Sequence, residues 1–169
     1  MVPRATLQDA VGFVLYELWM LRECAHMAMP PAQVPRNLSY EGLVLHSRVL
    51  RDFFFTKVHH KTGKRVTHRD DIVAIDYFAT PIAWPYTSRD LSPYLKRNKE
   101  RMDVVLAHLS IGRLKYEAGG KNWSASLLLS EIGAKWFEFI AKLEQDDEQV
   151  LSWFRKHRRA NLVRFLPPL

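Results

Sequence analysis

Apolar side chains recur at intervals of three and four along most of this chain. From about Thr6 to Met29, Val11, Val14, Leu15, Leu18, Trp19 and Leu21 trace one helical face; Thr6 can cap it and MPPAQVP stops it. NLSYEGLVLHSRVLRDFFF carries a second start signal, where Asn37 or Ser39 can cap a helix running to about Thr56. KVHHKTGKRVTHRDD then reads as a polar, basic loop with Gly63 near its tip. DDIVAIDYFATPIAWP predicts a short helix that stops before Pro81, followed by an irregular link held by Trp84. Ser92 and Pro93 form a cap and first-turn pair for a helix reaching about Ser110. After the EAGGKNW turn, Ser124 opens a long helical stretch, with a break expected near EQDDE. No strand-like alternation exceeds a few residues, and no repeat is visible. The pattern predicts an all-α fold: one bundle of four to six helices over residues 1–169, with the basic segment 153–169 at its periphery.

The second helix is apolar around nearly its whole circumference at about 100° per residue. Leu43, Leu50 and Phe54 make one side, and Leu45, Val49 and Phe53 extend it. Such a helix belongs in the centre of the bundle. Glu41, Arg48 and Asp52 nevertheless share one narrow stripe, and His46 projects into the apolar arc between Leu50 and Phe53. Charges on a central helix are paired or reach water through a cleft, because a lone buried charge costs several kcal/mol. Two readings follow. The stripe is an internal ion ladder, Glu41–Arg48–Asp52, in which loss of Arg48 costs roughly 3 kcal/mol or more; or it lines a functional cleft or a dimer interface. His46 is either a hydrogen-bonded core histidine or part of that site.

In the helix from Pro93, the buried arc is Tyr94, Leu95, Met102, Val105, Leu106 and Leu109. Arg97, Arg101 and His108 collect at one edge, and Asn98 lies inside the arc, where a hydrogen bond across to another helix is expected. Arginine forks suit phosphate oxygens and histidine moves protons near neutral pH, so this edge is a candidate phosphate site.

Composition narrows the class. The 169 residues, 47% hydrophobic, suffice for one domain with a real core. The single cysteine, Cys24, excludes an internal disulfide, and no histidine stands at catalytic spacing from it. Asp9 and Glu17 interrupt what would be a secretory apolar segment, and no run approaches the roughly 20 apolar residues of a membrane span. A cytoplasmic protein is expected. The formal charge of +7 draws anions, including nucleic acid. His59, His60 and His68 share the basic loop with Asp70 and Asp71, but loop histidines of this kind rarely converge, so neither a metal site nor a cofactor is expected.

Arg101 and His108, with six residues between them late in a helical bundle, resemble the Arg-x(4–6)-His signature of HEPN (higher eukaryotes and prokaryotes nucleotide-binding) domains. E-x4-H-x-R-x-L-x-D-F-F, then DD-I-V-A-x-D-Y-F and L-A-H-L-S-x-x-R, also resemble a set of uncharacterised bacterial α-helical proteins over roughly residues 38–113. There the recurrent polar positions fall on Glu41, His46, Arg48, Asp52, Asp71, Asp76, His108 and Arg113. The resemblance implies a HEPN-like bundle, commonly homodimeric, that binds RNA or a nucleotide. In its nuclease form the ribose 2′-hydroxyl attacks the phosphate without metal, His108 moves a proton and Arg101 steadies the developing charge. The chain departs from the family in its long Arg–His spacing and in Met102, where active members carry a polar residue. The alternative is a non-catalytic interaction or scaffold module whose polar cluster is structural.

Overall fold

The computed structural model describes residues 2–28, 36–57, 71–80, 82–107 and 124–160, with 59, 61, 62, 64 and 66 of the intervening loop. The fold is all-α. Among the described residues the helices are α1 (Arg4–Ala28), α2 (Arg36–Phe54), α3 (Pro93–Ala107), α4 (Ala125–Asp146) and α5 (Glu148–Ala160), with a 3-10 turn at Ala74–Tyr77. Extended pairing there is confined to a single bridge between Thr56 and Thr87.

The helix ends follow local chemistry. Helix α1 starts at Arg4, ahead of the Thr6 cap expected from sequence, and the Pro3 carbonyl accepts the Leu7 amide at 3.1 Å. Ser92 caps α3, accepting the Leu95 amide at 3.1 Å, with Pro93 in the first turn where its missing N–H costs nothing. Ser124 caps α4 through the Leu127 amide. The break expected near EQDDE falls at Asp147. Its own amide closes α4 on the Leu143 carbonyl, while its carboxylate caps α5 by accepting the Val150 amide at 3.1 Å. The short helix expected in DDIVAIDYF is one 3-10 turn, held at its start by Asp76 accepting the Val73 amide at 3.0 Å.

Helices α1 and α2 form a hairpin against which α3, α4 and α5 pack. Toward the Ala28–Arg36 end of the hairpin Gly42 sits so close to Cys24 that a Cβ added there would lie 2.6 Å from the Cys24 Sγ. The centre of the core is aromatic. The ring of Phe139 on α4 meets those of Phe53, Phe54, Tyr77, Phe78, Trp84, Trp136 and Phe154, mostly edge to face. Trp84 holds the irregular link in place by stacking on Phe78 and donating to the Phe54 carbonyl at 2.8 Å. Tyr77 donates to the Leu7 carbonyl, tying the 3-10 turn to α1, and burial, with the Asp76 charge adding, pushes its phenol up.

Helix α2 is central, but its circumference is not uniformly buried. Leu43, Leu50, Phe53 and Phe54 enter the core, whereas Leu45 and Val49, expected to extend the apolar arc, are exposed. The buried side of α2 includes a charged residue instead, Arg51, beside Val44 and Ser47.

Candidate functional site

Arg51 is the focus of the polar chemistry. Its side chain is 1% exposed, yet its donors find partners on three sides. Nε and Nη2 donate to Asp52 Oδ1 at 3.0 and 2.8 Å, and Nη2 also reaches Asp103 Oδ1 on α3 at 2.8 Å. Nη1 points to the Lys99 carbonyl at 3.5 Å and the Met102 Sδ at 3.7 Å. Asp103 takes a second cation, Arg48, through Nε at 3.2 Å, and Asp52 takes Lys57 at 3.3 Å. Three cations and two carboxylates thus form one network joining α2 to α3. Carboxylates on two sides offset the desolvation of a buried guanidinium, and the planar fork allows both contacts at once.

This differs from the ladder Glu41–Arg48–Asp52. Arg48 reaches across to Asp103 instead, and its side chain is 33% exposed. The cations against Asp52 are Arg51, which the sequence stripe omitted, and Lys57. Position 51 lies on the same side of α2 as the buried Val44 and Ser47, four to seven residues back, so the missed signal was an arginine inside the apolar arc. Asp103 stood at the matching turn of α3.

His46 is buried, and its Nδ1 lies 2.7 Å from Glu17 Oε2 on α1. The Tyr16 ring meets the imidazole edge-on at 6.1 Å. Glu17 was not among the site residues expected from sequence; it projects from α1 at the level that the hairpin brings opposite His46.

The remaining candidates are dispersed. Glu41 is half-buried on α2, Asp71 is exposed ahead of the 3-10 turn, and Asp76 is the capping carboxylate of that turn. Arg97 is exposed on α3. Asn98 does not bridge to another helix: its Nδ2 donates to the Tyr94 carbonyl at 2.9 Å, one turn back on α3, because a short amide inside a helix reaches its own i−4 carbonyl first. The Arg101 side chain, His108 and Arg113 lie outside the described residues, as do His60, His68 and Asp70. His59 is described, with its Nδ1 3.4 Å from the Thr62 amide. Among the described residues no group of three or more His, Cys, Asp or Glu side chains is placed to hold a metal ion.

A second polar cluster, not anticipated from sequence, joins α4 to the link after Trp84. Lys135 lies over the Tyr86 ring at 3.5 Å and pairs with Glu138 at 2.7 Å, and Tyr86 donates to Glu138. That hydrogen bond, then burial and the nearby Glu138 and Asp90 charges, pushes the Tyr86 phenol up to about 12. Burial alone would raise the Glu138 carboxyl, but hydrogen bonds from Lys135 and Tyr86 and the charges of Lys135 and Lys142 hold it below its ordinary value. The Cys24 thiol is pushed up by burial and by the Glu23 charge, which makes it a poor nucleophile.

Fold and site together define an all-α bundle with an interhelical charge network joining α2 to α3. No family model, curated protein or solved structure matches the chain. Among the described residues no helix is long and apolar enough to cross a membrane.

Proposed function

We infer that the chain is a non-catalytic interaction module, in which the α2–α3 network holds the bundle together. The observation that carries this is the state of Arg51: buried, with its donors engaged by Asp52, Asp103, Lys99 and Met102. A phosphate seeking that guanidinium has to displace a carboxylate already bonded to it and desolvate as well, at a cost of several kcal/mol. The acids on either side, half-buried themselves, repel an anionic substrate.

The competing reading makes the chain an RNA or nucleotide binder, homodimeric, with Arg101 and His108 as an endoribonuclease pair. The two are separated by incubating mixed RNA with the purified protein in EDTA, alongside His108→Ala. The module reading expects no cleavage by either. Cleavage by the wild type that disappears in His108→Ala overturns it.

A further inference from the structure

Of the large hydrophobic side chains that stand exposed, four fall on one face, the outer side of the α1–α2 hairpin: Phe13, at 73% the most exposed of them, with Tyr16, Leu45 and Val49. Their contiguity follows from the hairpin's register. Glu17 bonds His46, so Phe13, one turn before Glu17, stands opposite Val49, nearly one turn after His46. The contact of Tyr16 with the His46 ring places its side chain over the seam between the helices. Met20, half-buried, continues the α1 row at the spacing of a helical turn. The result is two apolar rows with a seam between them, the shape into which a third helix packs ridge to groove. Apolar patches of this kind mark interaction sites.

Charge selects the occupant. Asp9 and Glu23 flank the α1 row, whereas Asp52 beside the α2 row is already taken up by Arg51 and Lys57. Among the described residues Arg48 is the one Lys or Arg on these two rows, and it is turned to Asp103; Lys57, past the end of α2, is turned to Asp52. In a chain with 25 Lys and Arg against 18 Asp and Glu, this is a local reversal of sign. A second copy meeting this face with the same face sets carboxylate against carboxylate. Nucleic acid and anionic bilayers bring phosphates to the same acids. An extended peptide has no sheet edge to join here, since both walls are helices.

We propose that the outer α1–α2 face receives a cationic amphipathic helix of a partner protein, its apolar side on Phe13, Tyr16, Leu45 and Val49 and its lysines or arginines toward Asp9 and Glu23. The proposal rests on the interaction-module reading and names the partner's chemistry; RNA cleavage tests that reading separately, so the two can fail independently.

The test is fluorescence anisotropy with a labelled helix-forming peptide carrying leucines on one face and lysines on the other. Its control has glutamates in place of the lysines. The full chain is expected to bind the lysine peptide at least about tenfold more tightly than the glutamate one at about 0.1 M salt. Phe13→Lys with Val49→Lys, both at exposed positions, is expected to weaken binding about tenfold or more at unchanged melting temperature. Asp9→Lys with Glu23→Lys, which leaves the apolar rows intact, is expected to weaken it as well. Equal affinity for both peptides, or undiminished binding by both double variants, overturns the proposal. So does an RNA oligomer, an anionic vesicle or self-association that outcompetes the lysine peptide and is lost with Phe13→Lys and Val49→Lys.

Discussion

Arg51 and Arg155 each hold two carboxylates, and their surroundings could hardly differ more. Arg155, on α5, reaches Glu148 at 2.6 Å and Glu144 at 3.0 Å, with its side chain 41% exposed. Arg51 binds Asp52 and Asp103 at similar distances with almost no exposure. In water the attraction between ions is weak and salt screens it further. In the interior the ions have already lost their hydration, so removing one leaves the other without compensation. Burial, more than the number or length of contacts, decides what an ion pair does for the fold.

The largest effect expected is for Arg51→Ala. It empties the space of a fully buried side chain and leaves Asp52 and Asp103 with only Lys57 and Arg48, so it should lower stability by about 2–4 kcal/mol in a urea titration. A loss no larger than that of a surface pair would erase the distinction between the two arginines. Arg48 shares Asp103 but is one-third exposed, so Arg48→Ala should cost about 1 kcal/mol or less, with Arg51 remaining to neutralise the acid. This reverses the weight that the sequence stripe gave to Arg48. Arg155→Ala is expected to change stability by about 0–1 kcal/mol, and the change should vanish near 1 M salt. A salt-insensitive loss would place Arg155 with Arg51.

The half-buried Lys135–Glu138–Tyr86 cluster sharpens the comparison from between. Glu138 titrates below its unfolded value, so its contribution is present above the ordinary carboxylate range and is lost as the pH falls through the folded value. Tyr86 titrates above its unfolded value, so its contribution is complete below about pH 10 and is lost as the pH rises toward 12. Tyr86→Phe should flatten the fall of stability between pH 10 and 12. It should also remove one late-titrating phenol from the ultraviolet spectrum; a titration unchanged in that range would mean the phenol is not held by Glu138.

The helices themselves were largely legible from sequence, because period and caps are local. Ser92, Pro93 and Ser124 start helices where they stand, and the acidic break was visible as EQDDE. What sequence did not supply was the partner across each interface. A wheel drawn on α2 shows Glu41, Arg48 and Asp52 together, but whether a side chain pairs along its own helix or across to α3 depends on packing distance and angle. It also counts Leu45 and Val49 as core because they are apolar, whereas burial requires another element over them. Glu17 and Tyr86 escaped notice for the same reason: each acquires its role from a residue 29 or 52 positions away.

The closeness of Gly42 to Cys24 has a practical corollary. The sulfur is roofed by backbone where any larger residue would have to push it aside, and its thiol resists ionisation. A thiol reagent therefore gains access only when the two hairpin helices part, so the rate of alkylation of this lone cysteine becomes a clock for that opening, read without adding any label to the chain.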